Sequence, residues 1–430
     1  MLRPALLLLA LTLPLGAGAA RPTVVVDAPD FRPLPLAVPA FLAEGDAPAA
    51  AEALEVLRAD LALSGLFELL DPRGFLAEAG EGLGAPSIKF GRWLTVGAEG
   101  LVKARVRSEG GGLSADLRLH DVRAAREVLQ RPLSAPDARA LAHRMADELV
   151  RFYTGEPGIF RTHIAAVRRT FDGKRDRFEL VLLDADGRNP RVLTGGAALL
   201  RLPAWHPDGD RILVSRQIDQ NELWVYRLSD RSFTRLPLGR EAYAGAFSPD
   251  GARVAFTSFD ERGNSHLWVA DADGRRARPL TTAGTINVSP SWSPDGKRIA
   301  FASDRTGRPH IFVMNADGSE QRRLTFKGEN NTTPRWSPRG DVIAFTARDE
   351  RLAFDLFTIS PDTGKIERIT QDAGPRNEEP TWAPNGRLLA FTRDRGHGPQ
   401  LVLSDAKGER LGPVPGAEVS TPAWGPLPRE

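Results

Sequence analysis

Cysteine is absent from the 430 residues, which excludes disulfides, zinc-thiolate sites, cysteine nucleophiles and a lipid-anchored N-terminal cysteine together. An excess of one charge sign is also missing. With 57 Lys and Arg against 55 Asp and Glu the formal charge is +2, and no clustered basic stripe is present for a nucleic acid to follow. Beyond Leu15 no stretch reaches the ~18 consecutive apolar residues of a membrane-spanning helix, so the mature chain is expected to be soluble. Gly-x-Ser-x-Gly, His-Glu-x-x-His and phosphate-loop motifs are lacking as well, so no catalytic residue, cofactor or metal ligand set is assigned.

What is present begins with a leader. Met1-Leu2-Arg3, an apolar run from Ala5 to Leu15 and the small residues Gly16 to Ala20 form a secretory signal peptide over residues 1–20, with cleavage expected after Ala19 or Ala20. Residues 21–36 follow as a proline-studded tail. Val24, Val25 and Val26 have high strand propensity between prolines, so this segment reads as an edge strand, a mobile extended tail, or an ordinary first strand of the next domain.

Residues 37–157 are expected to form a small α/β domain. Leu36–Leu42 reads as a strand, and Leu54, Leu57 and Leu61 put one apolar face on a helix over Ala49–Leu63. Strands are expected at Phe67–Leu70, Trp93–Val96, Leu101–Val106 and Leu113–His120. A second helix spans Ala135–Phe152, and Thr154-Gly155-Glu156-Pro157-Gly158 ends both helix and domain.

Residues 158–430 repeat. Ser-Trp-Ser-Pro-Asp-Gly at Ser291–Gly296 recurs with its aromatic anchor at Trp205, Phe247, Trp292, Trp336, Trp382 and Trp424, in steps of 42, 45, 44, 46 and 42 residues. That is the period of a four-stranded propeller blade. The proline presets φ and the glycine takes a positive φ, which makes a tight turn between two strands. The last copy stops just after Trp424, so it supplies one strand. Three strand-like runs, His163–Arg169, Phe178–Leu183 and Pro190–Thr194, precede the first anchor. One and three complete a blade, which predicts an all-β propeller of six blades closed by the C-terminal strand.

Asp-x-Asp-Gly at Asp184–Gly187 and Asp271–Gly274 resembles part of a calcium loop but lacks the downstream glutamate, so both are read as turns. His143 and His163 are read as isolated structural histidines. The blade connectors carry more. Strand alternation puts them at one face of the ring, where Glu241, Tyr243, Asn287, Ser289, Asn330, Asn331, Thr332, Thr333, Asn377, Glu378, Glu379, Glu418 and Ser420 are expected around the channel mouth as a docking rim.

The leader, the α/β domain ending in His143-x-x-Ala-Asp147, the phrase Gly158-Ile159-Phe160-Arg161-Thr162 and the Trp-Ser-Pro-Asp-Gly blades together resemble the TolB family of periplasmic Tol-Pal propellers, over essentially the whole mature chain. The resemblance implies a non-enzymatic protein that docks the lipoprotein Pal at the channel mouth, through the connector residues just named. It also implies that the mature tail, Arg21, Pro22, Thr23, Val24, Val25, Val26 and Asp27, contacts TolA. Outer-membrane integrity and constriction during cell division are the implied roles, and other outer-membrane or cell-wall-associated proteins are further candidate partners. The family often has a histidine ahead of the second blade's turn, where this chain has Glu241. The alternatives are a peptidase-associated propeller, against which the missing nucleophile elbow and hydrolase domain stand, and a general periplasmic scaffold.

Overall fold

The computed structural model describes residues 31–76, 80–348, 352–371, 376–409 and 412–429. The leader and the segment Arg21–Asp27 lie outside the described residues.

The N-terminal domain is a mixed sheet with two long helices against it. Its strands are β1 (Leu34–Ala37), β2 (Leu42–Glu44), β3 (Phe67–Leu69), β4 (Gly100–Glu109), β5 (Gly112–Asp121) and β6 (Arg126–Ala135), in the order β3-β1-β4-β5-β6 with β2 on β4. β1 therefore starts inside the stretch assigned to the tail. Helix α1 (Ala47–Ser64) starts where the Asp46 carboxylate accepts the Ala49 N–H at 2.9 Å. The long C-terminal helix of the domain, Ala138–Thr154, is capped the same way by Asp137, which accepts from Ala140 at 2.8 Å, and it stops at Gly155. Each cap satisfies an N–H that the helix itself leaves unpaired. Leu57, Leu61, Leu141, Met145 and Leu149 are fully buried between these helices and the sheet.

One strand expectation is overturned. Trp93, Leu94 and Thr95 belong to a short helix, Phe90–Thr95, and Val96 follows its end. The Trp93 ring is buried beside Ile88, Leu101 and Val122 and meets the edge of Phe75, with ring centroids 5.1 Å apart. Its indole N–H points at the Glu81 carboxylate, 3.3 Å away. Packing has overruled local propensity. Glu81 is also the partner of Lys103 at 2.7 Å, and both side chains are buried.

Residues from His163 onward form six four-stranded antiparallel sheets. The innermost strands of blades one to six are Leu199–Trp205, Tyr243–Phe247, Asn287–Trp292, Asn330–Trp336, Arg376–Trp382 and Ser420–Trp424. Blade six is completed by His163–Phe171, Asp176–Asp184 and Arg191–Gly196, with Ala423 opposite Ala165 and Trp424 opposite Ile164. Both ends of the propeller therefore share one sheet, and six blades close on the strand from the C-terminal end, as the repeat count requires. Adjacent blades bury apolar faces against each other. Trp292, for example, sits with Ala255, Val269 and Phe301, and its indole N–H donates to Ala246 O at 3.1 Å in the preceding blade. Trp205 reaches Ala423 O at 2.9 Å and Trp382 reaches Arg335 O at 3.0 Å.

The N-terminal domain rests on the turn face of this ring. Glu156 meets Arg387 at 3.0 Å and Arg339 at 3.7 Å, both on Trp-x-Pro turns. Arg139 reaches Asp184 at 3.1 Å and Asp186 at 2.8 Å on the Asp-Gly turn of blade six. The connecting chain serves two cores at once, because Ile159 packs in the propeller and Phe160 in the N-terminal domain. The Asp147 carboxylate holds that crossing, accepting Phe160 N–H and Arg161 Nε, each at 2.8 Å. Glycine is required at 158, since a Cβ there would lie 2.1 Å from Asp147 Oδ1.

Candidate functional site: the connector face

The face opposite the N-terminal domain carries the blade connectors, and each innermost strand reaches it through the same local distortion. Leu202, Ala244, Ser289, Thr333, Glu379 and Thr421 have φ between 48° and 60°. Around each of these six residues the strand pairing shifts register. A non-glycine residue at positive φ costs energy and persists only where its surroundings fix it. In five blades the next residue is proline (Pro203, Pro290, Pro334, Pro380, Pro422) and in blade two it is Gly245. Proline lacks the N–H that would demand a ladder partner, so the bulge is written into the sequence. The Pro-x-Trp spacing was the signal available for it.

Hydroxyls of the preceding blade hold several of these residues. Ser215 Oγ accepts Ala244 N–H at 2.9 Å, Thr346 Oγ1 accepts Glu379 N–H at 3.3 Å, and Thr392 Oγ1 accepts Thr421 N–H at 3.1 Å. The Glu379 carboxylate takes part as well, accepting from Thr421 N–H at 2.9 Å and from Thr392 Oγ1 at 3.1 Å. Burial pushes its pKa up, and the two hydrogen bonds and the charge of Arg335 oppose that without cancelling it.

The thirteen residues assigned to the rim separate into groups. Asn287, Asn331 and Asn377 are buried, and their side chains fix connectors instead of facing a partner. Asn287 Nδ2 donates to Ala283 O at 2.9 Å while its Oδ1 accepts from Arg305 at 2.8 Å. Asn331 Nδ2 donates to Lys327 O at 2.9 Å, and Asn377 Oδ1 accepts from Arg393 Nε at 2.9 Å. The same position in the other blades is Leu200, Ala242 and Val419, all buried. That position faces inward whatever occupies it, which corrects the expectation that these amides meet a partner directly. Glu241 is also engaged, its Oε1 accepting Asn221 N–H at 3.0 Å and Nδ2 at 2.6 Å. The Glu379 carboxylate is engaged at the seam between blades five and six.

The remaining members lie near the surface. Tyr243, Ser289, Asn330, Thr332, Thr333, Glu378 and Ser420 are half-buried and Glu418 is exposed. Tyr243 stacks on Phe259 with centroids 5.4 Å apart, and Thr333 Oγ1 is 2.8 Å from Thr346 Oγ1. Glu378 is paired with Arg376 at 2.9 Å.

Exposed apolar side chains on this face went unnoticed in the sequence. Phe171 ends a strand and Ile218, Ile286, Phe326 and Leu352 lie in connectors or turns, all at the same ends of the strands, and Phe326 is 72% exposed. Each is a single apolar residue in a polar loop, so no periodicity marks it. Only the ring brings them to one side. The connector face thus combines a polar mouth with five exposed apolar side chains around it. Deeper in the channel, toward the turn face, lies a cavity of about 350 Å³ lined by Pro203, Gly245, Pro290, Arg335 and the Trp-x-Pro turns.

Comparison with known proteins agrees with both halves of the chain. The family of the TolB amino-terminal domain matches residues 22–128 and that of the TolB beta propeller domain matches residues 150–428. The Tol-Pal system protein TolB of Anaeromyxobacter dehalogenans is 59% identical over 434 residues, covering 99% of each chain. That of Myxococcus xanthus is 45% identical over 366 residues, 84% of each. The crystal structure of TolB from Acinetobacter baumannii superposes with a TM-score of 0.79 at 25% identity, covering 92% of this chain and 97% of the other. On this agreement of sequence, domain order and fold, the chain belongs to the TolB family of the Tol-Pal system.

Proposed function

We propose that this chain is a periplasmic docking protein, not an enzyme, that binds Pal on the connector face of its propeller. The observation that carries the reading is the coincidence, on the one propeller face not occupied by the N-terminal domain, of the half-buried polar rim with the exposed residues Phe171, Ile218, Ile286, Phe326 and Leu352. Polar groups around a channel mouth fix orientation, and the apolar residues supply burial on association. Glu378, Thr332, Thr333, Asn330, Ser289 and Ser420 are the rim members placed to meet Pal. Asn287, Asn331 and Asn377 hold the connectors that present them.

The segment Arg21–Asp27 is the proposed TolA contact, reaching that partner as an added strand or extended peptide. Pal occupancy and tail position are proposed to be coupled, each biasing the other by the same factor. Through these two partners the chain would serve outer-membrane integrity and constriction during division. Hydrogen exchange of the chain with and without Pal tests the reading. Protection is expected at residues 286–289, 326–333 and 376–379, and protection confined to the Trp-x-Pro turns would contradict it.

A further inference from the structure

The junction between the two domains contains a histidine that the docking function leaves unused. His143, on the helix Ala138–Thr154, is 95% buried. Its Nδ1 is 2.7 Å from Asp60 Oδ2 on α1, which fixes the plane of the ring and aims Nε2 across the domain boundary. There Nε2 has no hydrogen-bond partner. The nearest carboxylate oxygen is Asp184 Oδ2 at 3.8 Å, on the Asp-Gly turn of blade six. That separation is too long for a hydrogen bond. It is close to the ~3.4 Å expected between two ligands of one tetrahedral ion with bonds of about 2.1 Å.

Asp186 completes the group, and one donor atom from each of His143, Asp184 and Asp186 lies within 4.8 Å of the others. We propose that His143, Asp184 and Asp186 form a binding site for a divalent transition cation of the zinc class, with ligands from both domains, so that the bound ion staples the N-terminal domain to the propeller.

Three features of the surroundings fit this. A carboxylate on the far nitrogen of a ligating imidazole is the usual outer support of such a ligand, and Asp60 occupies that place. A cleft of about 270 Å³, lined by His143 and Asp184 together with Arg139, Arg161, His163 and Arg191, reaches two of the three ligands, and a fourth position would be left to water. Two carboxylates with one neutral imidazole suit a hard-to-borderline dication. Arg139 already donates to Asp184 Oδ2 and Asp186 Oδ2. Asn189 Nδ2 also donates to Asp184 Oδ2, at 3.3 Å, so the ion would displace one of these donors there, and Arg139 as a cation competes with the metal. With Nδ1–H donated to Asp60, the lone pair on Nε2 is the one offered to the ion.

The test is a titration of the purified full chain with Zn²⁺ against a chromophoric chelator, repeated with Co²⁺ to read its visible spectrum. One ion per chain is expected. His143→Gln and Asp186→Asn should each weaken binding ~10-fold or more, and Asp60→Asn, which only positions the ring, by ~10- to 100-fold. Arg139→Gln should leave affinity unchanged or raise it, which a purely structural ion-pair cluster does not anticipate. Zn²⁺ should also raise the melting temperature of the wild type and not of Asp186→Asn. Absence of Zn²⁺ binding by the wild type, or binding undiminished in both ligand variants, overturns the proposal. If a ligand variant fails to fold, the Co²⁺ spectrum of the wild type decides: absence of the intense bands of a low-coordinate nitrogen-ligated ion also overturns it.

Discussion

The Glu379 carboxylate accepts the main-chain N–H of Thr421 at 2.9 Å, joining the innermost strand of blade five to that of blade six. Thr421 lies on the strand that closes the ring and is itself at a φ of 50°. One glutamate therefore supports both the last seam and the strained residue beside it. Replacing it with alanine leaves Thr421 N–H with the weaker partner Thr392 and should cost about 1–3 kcal/mol, read as a lower denaturation midpoint. Glu379→Gln keeps an acceptor and should cost less.

The pH dependence of that pair has a defined sign. Burial raises the pKa of Glu379 in the folded chain. The native state then holds a proton that the unfolded state has lost, and stability falls as pH rises from the ordinary glutamate range through the raised value. Over that window wild-type stability should decline relative to Glu379→Gln. Denaturant midpoints across the pH series check this, and parallel curves for the two proteins would contradict it.

Closure itself depends on Trp424. Its backbone N–H donates to Thr381 Oγ1 at 3.0 Å in blade five and its indole to Thr162 Oγ1 at 2.8 Å at the domain junction. Trp424→Ala should cost about 3–5 kcal/mol through the cavity and the lost partners. Thermal unfolding followed by tryptophan fluorescence and circular dichroism together would show it.

In the N-terminal domain the buried pair Lys103–Glu81 gives a separate prediction. Lys103→Met leaves Glu81 unpaired in the interior beside Trp93 and should destabilise by about 3–5 kcal/mol. Propeller unfolding should change less, which calorimetry resolves if the domains melt separately.

The repeat made most of the propeller legible, because Trp-x-Pro turns recur with the blade period and blade six could be assembled from Trp424 and the runs after His163. The two long helices were found but their starts were not, since Ala49 and Ala135 were expected where Asp46 and Asp137 cap helices that begin at Ala47 and Ala138. Trp93 was misread because its neighbours Phe75, Ile88 and Val122 come from three other segments, and those contacts decide its conformation. The polar strand Arg126–Ala135 was missed because few of its residues are buried, which leaves little alternation to detect. At the candidate site the connectors were found but not their orientation. Asn331 and Thr332 are adjacent and equally polar, yet one is buried and the other half-exposed. His143 read as isolated because Asp60 lies 83 residues away on α1 and Asp184 reaches it only once the two domains meet.

The central claim is that Pal docks on the connector face, and titration calorimetry of Pal with the Phe326→Asp and Glu378→Lys variants tests it most directly. Both side chains lie on that face, and the pair Glu378 makes with the exposed Arg376 is a surface contact worth about 0–1 kcal/mol, so the variants should melt close to the wild type. The account predicts weaker Pal binding in each, by about 1–2 kcal/mol or ~5- to 30-fold in affinity. Wild-type affinity in both variants would contradict it.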